Sequence, residues 1–283
     1  MIFYFANFHI SFAVVLLSAI VLRAQGLGYD SAYFVFIYFS SLFIYNIDRY
    51  YNVSKEDRIN CPGRSAFHLR NRKVVLATLL VALLAMLGTS WALKGGTFLI
   101  LIACVIVTFL YLLVIQLRDS TFLSWLIAVL KIVLLAGVWT VVVGIAPIVQ
   151  SGAAVELRSL HLTPLLTLFL IFVVNAMWFD LRDRDGDALS GKGNLANLIS
   201  DRLYFIIMIA CSLLALIHSV IFGFRSLAFI SVLYLLIGLP WALRGSYGGR
   251  GERFYYHIID LPLIVFPLIE LLHAPLLVFF TLH

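Results

Sequence analysis

Asp180, Asp183 and Asp187 stand at i, i+3 and i+7 along a single stretch of chain. On a helix that spacing puts three carboxylates on one face, where like charges repel one another. Such an arrangement predicts a bound cation; the alternative is a solvated helix end with Arg182 and Arg184 as counter-charges. Mg²⁺ takes hard oxygen ligands, usually one or two carboxylates plus phosphates and water, so the three aspartates suffice for one ion. Subtracting 135 from their numbers gives Tyr45, Asp48 and Asn52, and Asp-Arg recurs at Asp48-Arg49 and Asp183-Arg184. The first copy keeps one carboxylate where the second has three. With the amide oxygen of Asn52 or Asn46, Asp48 predicts a weaker second metal site.

The elements that must position these groups follow from composition. Of 283 residues, 63% are hydrophobic and 12% charged, about half the charged share of a soluble protein. A mean hydropathy of +1.05 extends this over the whole chain and excludes a soluble enzyme, a disordered chain and a secreted disulfide module. A membrane-crossing helix needs about 20 mostly apolar residues. Nine runs qualify: 4–23, 31–48, 73–93, 97–117, 122–148, 160–181, 203–222, 226–243 and 256–281. They lack the alternation of strands. The expectation is an all-α polytopic membrane protein, one domain over 1–283, with no cleavable signal peptide. Cys61, Cys104 and Cys211 form no CxxC pair and read as apolar fillers or a loop thiol.

Fifteen of the twenty Lys and Arg residues fall on the side holding the ends of the second, fourth, sixth and eighth spans, and four on the other. Basic residues collect on the cytoplasmic side, so the N-terminus and both Asp-rich segments are expected there, in an inner (plasma) membrane of prokaryotic type. The same rule accounts for the net charge of +6 without a nucleic-acid partner. The twentieth base, Lys131, lies inside the fifth span, where an ammonium needs a partner or a wet cavity and marks a functional candidate. Asp260 opens the ninth span. Glu270 and His273, at i and i+3 within it, read as a buried hydrogen-bonded pair.

At these residues the sequence resembles the UbiA superfamily of intramembrane prenyltransferases. That family has nine transmembrane helices around a central cavity, with NDxxDxxxD after the second and DxxDxxxD after the sixth. Asp180, Asp183 and Asp187 match the second motif in full. Asp48 falls on the second Asp of the first motif, whose Asn-Asp opening falls on Ile44 and Tyr45 and whose last Asp falls on Asn52. Asn60 and Pro62 fall on the N-R-P of the following loop, and Lys131 and Trp139 look like the Lys and Trp of the fifth helix.

The resemblance implies two pseudo-repeats of four helices plus one, and a Mg²⁺-assisted transfer from an isoprenyl diphosphate to a lipophilic, aromatic acceptor. It implies Asp48, Asp180, Asp183 and Asp187 as metal ligands, with Lys131 also catalytic. An allylic diphosphate ionises when its leaving group is stabilised by a cation. Lys131, Arg49, Arg64, Arg118 and Lys192 are candidate clamps, with Asn52 and Asn60 beside them. Aromatic faces shield the carbocation, and Tyr45 and Trp139 are the first candidates among Tyr50, Tyr51, Trp178 and Phe179. Two other readings stay open: a catalytically silent homologue that binds a lipid diphosphate or serves as an assembly partner, and a transporter.

Overall fold

The computed structural model describes residues 2–51, 53–116, 121–152, 163–190, 194–244, 251 and 254–281, without the side chains of 2, 3, 48, 111–116, 121–124 and 274–281. Every regular element among the described residues is helical. Hydrocarbon favours this outcome because a helix satisfies its own backbone hydrogen bonds. Among the described residues six helices are long and apolar enough to cross a membrane: Arg72–Ser90, Trp125–Ser151, Thr163–Leu189, Asp201–Phe222, Arg225–Arg244 and Tyr255–His273. Phe8–Ala24 and Gly95–Leu110 are shorter apolar helices, and Ser31–Tyr51 runs for 21 residues. The chain has the helices of a multi-pass membrane protein.

The run expected at 4–23 is two pieces, Ile2–Phe5 and Phe8–Ala24. Asn7 between them has φ 60°, a left-handed conformation that asparagine tolerates better than most residues. Its amide donates to the Tyr45 carbonyl and to Asn46 Oδ1, both at 3.3 Å, which ties this break to the Ser31–Tyr51 helix. The polar connector after that helix is itself helical over Lys55–Asn60 and Pro62–Arg70. Ser54 caps the first piece by accepting from the Asp57 N–H, and proline starts the second, where a missing N–H costs nothing. π-helical turns at Val141–Ile145 and Tyr255–Asp260 interrupt the regular helices expected at 122–148 and 256–281.

The Thr163–Leu189 helix is the centre: 72% of its apolar window is buried, against 17% for Arg72–Ser90. It packs against Asp201–Phe222, Thr121–Thr140 and the short Lys55–Asn60 helix. Between lipid-facing helices, packing rather than water exclusion holds the contact, and small residues allow close approach. Ala128 and Ala136 are fully buried on the Thr121–Thr140 helix, and a Cβ built on Gly144 would meet Leu165 Cδ2 at 2.2 Å. Leu80, Val81, Leu84, Leu87, Leu213, Leu214 and Ile221 are exposed, as side chains facing lipid tails should be. Gly223, with φ 76°, ends Asp201–Phe222 and lets the chain reverse into Arg225–Arg244.

His68 pins the N-terminal piece to the connector. It is buried, and its Nε2 lies 3.1 Å from the Phe5 carbonyl oxygen. Burial, with Arg49 and Arg64 adding to it, pushes its pKa down to about 4 against the smaller opposing pull of the Phe5 hydrogen bond. An unfolded chain protonates histidine near ~6.5. The neutral form therefore stabilises the fold fully above that pH, and the contribution is lost as pH falls through the folded value. The melting temperature of the detergent-solubilised protein should drop more steeply between about pH 6.5 and 4.5 than that of His68→Gln. Equal slopes would refute the account.

Candidate functional site

Lys131 and the end of the Thr163–Leu189 helix meet. Lys131 Nζ lies 2.7 Å from Asp180 Oδ1 and 3.9 Å from Asp187 Oδ2. Seven residues bring a helix back to within ~20° of the same azimuth, whereas three leave a side chain ~60° away. Asp180 and Asp187 thus share one cation, while Asp183 turns to a different one. Both of its oxygens accept from Arg182, at 2.7 and 2.9 Å, a bidentate pair of the strong kind. Asn194 completes the lower part: its amide donates to Asp187 Oδ2 at 2.9 Å and to the Asp180 carbonyl at 2.8 Å. The Leu195 N–H donates to Asp180 Oδ2 at 3.2 Å.

These groups border a cavity of about 200 Å³ lined by Ile10, Tyr45, Arg49, Arg64, Lys131, Ile132, Leu135, Trp139, Phe172, Asn175, Ala176, Phe179, Asp180, Arg182 and Asp183. Among the described lining residues four are basic and two are carboxylates, so the lining carries surplus positive charge. Tyr45, Trp139, Phe172 and Phe179 add aromatic walls. Tyr45 and Trp139 stack with their planes 3° apart, and the Arg182 guanidinium lies 4.7 Å from the centre of the Phe179 ring. Positions 45 and 180, which the 135-residue offset relates, both line this cavity. A smaller pocket of about 40 Å³ shares Ile10, Tyr45, Trp139, Phe172, Asn175 and Phe179 with it and is also lined by Ala13, Val14, Leu17, Asp260 and Leu263.

Of the residues singled out from sequence, Tyr45, Arg49, Arg64, Lys131, Trp139, Asp180 and Asp183 are brought together here. Asp187 stands behind Lys131 and does not line the cavity. Asn52, Arg118 and Lys192 lie outside the described residues, as does the side chain of Asp48. Asn60 points elsewhere: its amide donates to the Asp183 carbonyl at 3.1 Å, and its oxygen accepts from the Gly186 N–H at 2.8 Å. Trp178 is fully buried against Phe205 and Phe254, a packing residue rather than a cavity wall. Glu270 does not pair with His273; it accepts from the Ser226 N–H at 2.7 Å, because the first N–H groups of the Arg225–Arg244 helix have no partner within it.

Sequence reasoning left Arg182 as a mere counter-charge and passed over Asn175, Asn194 and His9. For Asn175 and His9 the available signal was their depth, since a polar side chain inside an apolar run is costly without a task or a partner; Arg182 and Asn194 sit in polar stretches of the sequence that carry no such signal. The three cysteines are free thiols, and buried Cys61 accepts a hydrogen bond from Arg64 at 3.1 Å, which helps aim that guanidinium.

Among the described residues no three His, Cys, Asp or Glu side chains are grouped to hold a metal ion. The expected triplet fails to converge because Asp183 is engaged by its neighbour Arg182. The pair that fits a cation is Asp180 and Asp187, since the Lys131 ammonium already occupies a point both can reach.

Gly186 is where the connector crosses the central helix. A Cβ there would meet the Asn60 amide at 2.5 to 2.7 Å, so only glycine leaves room for both hydrogen bonds. Asn60→Ala and Gly186→Ala are each expected to lower stability by about 1–2 kcal/mol, and together by little more than either, because both remove one contact. Full additivity in a double-mutant cycle would contradict it.

Compared with family models, curated proteins and solved structures, the chain matches none.

Proposed function

We propose that the chain is an integral membrane prenyltransferase of the UbiA type, crossing the membrane nine times with its polar cavity mouth on the cytoplasmic side. The observation that carries this reading is a single cavity lined by both cations and aromatic rings, the two kinds of group an allylic diphosphate would engage. The excess of Lys and Arg on one side of the spans supports the orientation.

In this reading Arg49, Arg64, Lys131 and Arg182 hold the diphosphate oxygens in a water-poor site, where such contacts count for more than in water. Mg²⁺ is proposed to be held by Asp180 and Asp187 only once the Lys131 ammonium that now sits between them turns to the diphosphate, since both carboxylates are oxygen donors of the kind it prefers. Bound there, it would supply Lewis-acid stabilisation of the leaving group. Asp183 orients Arg182, and Asn194 and the Leu195 N–H orient the carboxylates. Tyr45, Trp139, Phe172 and Phe179 shield the allylic end from water and offer π-faces to developing positive charge.

A second reading keeps the binding and drops the transfer. It is supported by Tyr45, which presents a stacked phenol where the resemblance places a carboxylate. Release of diphosphate during turnover separates the two readings.

The test uses the full chain in lipid nanodiscs with geranylgeranyl diphosphate, with and without Mg²⁺. The unmodified protein should bind the probe, and Arg64→Ala should weaken binding about ten-fold or more, the value of a charge-assisted hydrogen bond. Lys131→Met should also destabilise the protein by about 2 kcal/mol, less than for a fully enclosed pair because the Lys131 side chain is 30% exposed. No binding by the unmodified protein, or unchanged affinity in Arg64→Ala, sinks the reading.

A further inference from the structure

The connector between the Ser31–Tyr51 and Arg72–Ser90 helices has two unlike faces. Its inner face is engaged: Asn60 holds the central helix, Arg64 lines the cavity and His68 meets the Phe5 carbonyl. Its outer face is basic. Lys55, Arg58, Arg70, Arg72 and Lys73 are all exposed, and none of them lines the cavity. Only two acids, Glu56 and Asp57, lie between residues 51 and 73. Asp57 is already taken, accepting from Arg49 at 3.2 Å and from the Ser54 hydroxyl at 3.0 Å. On the central helix, by contrast, Arg182 and Arg184 each have a carboxylate at 2.7 Å.

Apolar side chains are interleaved with these charges. Lys55, Arg58 and Ile59 stand at i, i+3 and i+4 and so share one face of Lys55–Asn60. Ile59 and Leu69 are each 47% exposed. Arg72 reaches back over Tyr50, its guanidinium carbon 5.3 Å from the ring centre, and donates to the Tyr50 carbonyl at 3.1 Å. Directly after Lys73 come Val74 and Leu76, both exposed on the least buried of the long apolar helices. Such side chains face hydrocarbon, so the bases just before them lie at headgroup depth. Bases mixed with exposed apolar groups at that depth are the composition of a surface that lies in the membrane interface.

We propose that this outer face of the connector is a binding surface for anionic phospholipid headgroups. The Lys and Arg N–H groups donate to lipid phosphate, while Ile59 and Leu69 enter the boundary between headgroups and acyl chains. A zwitterionic lipid carries the same phosphate with its own ammonium, so the surplus positive charge selects a lipid of net negative charge. The same segment carries Asn60 and Arg64, and a lipid bound only to the folded connector therefore stabilises its contact with the central helix.

The test uses the full chain in a neutral detergent, titrated with phosphatidylglycerol or phosphatidylcholine. Native mass spectrometry reads the retained lipid, and the melting temperature is measured in parallel. The unmodified protein should retain phosphatidylglycerol in preference and melt higher with it, a comparison that needs no variant. Arg58→Gln, Arg70→Gln and Lys73→Gln should each lower phosphatidylglycerol affinity about five-fold, the value of one base at an anionic lipid surface. The three together should abolish both the preference and the thermal gain, yet melt with phosphatidylcholine as the unmodified protein does, which shows the fold is intact. Arg225→Gln, beyond the far end of the Asp201–Phe222 helix, should change neither. The proposal is overturned by equal retention of the two lipids, by an unchanged preference in the triple variant, or by an equal loss in Arg225→Gln. An equal thermal gain from water-soluble glycerol phosphate also overturns it, since a free anion would then suffice. Failure of the diphosphate to bind removes the cavity reading alone, because the two sites share no residue.

Discussion

An ammonium within apolar surroundings has to find its counter-charge nearby, and much of this structure is arranged around the one at Lys131. Its pairing with Asp180 at 2.7 Å holds the Thr121–Thr140 helix against the central Thr163–Leu189 helix at the level of the cavity. The approach is possible because buried alanines lie between the lipid-facing walls. Asp187, one further heptad along, leans on the same ammonium. Each of these charges would be costly alone, and together they make a polar floor that the surrounding hydrocarbon cannot dissolve.

The connector after Ser31–Tyr51 finishes what that pair begins. Asn60 hooks onto the central helix at Gly186, Asp57 accepts from Arg49 at 3.2 Å, and His68 holds the N-terminal piece. These contacts draw Arg49 and Arg64 to the cavity opposite Asp180 and Arg182. The result is a chamber lined by both cations and aromatic rings, and the proposed diphosphate chemistry depends on having both. The Asp260 carboxylate lines the smaller adjoining pocket, with His9 Nε2 3.3 Å from its Oδ2.

Some of this was legible in the residues themselves. Long apolar runs marked where most of the helices lie, since lipid leaves no other use for them, although the central helix runs on to Leu189, eight residues past its apolar run; Lys131 announced itself as a charge in the wrong solvent. Tyr45 was found through its offset from Asp180, and Trp139 through the family resemblance. The pairings that differ from the expected ones share a cause. Asp183 was placed with Asp180 and Asp187 by helical spacing, which treats a ~60° difference as one face and cannot see that Arg182 lies within reach. Glu270 was paired with His273 on the same helix, although the stronger claim came from an open helix N-terminus on another. Asn60 was read as a substrate contact, when the nearest groups to its amide belong to a helix more than a hundred residues away.

The sequence by itself determined that this is a helical membrane protein, because hydropathy and helix period are local properties of the chain. It also determined which charges were too deep to be incidental. Only the tertiary structure decided how those charges are shared: Lys131 between two aspartates, Arg182 with the third, and Asp260 with His9. Such pairings are set by distances across helices that are far apart in the chain. A carboxylate buried in a low-dielectric interior takes whichever donor the packing brings to within 3 Å or so, and spacing along one helix carries no record of what the neighbouring helix presents.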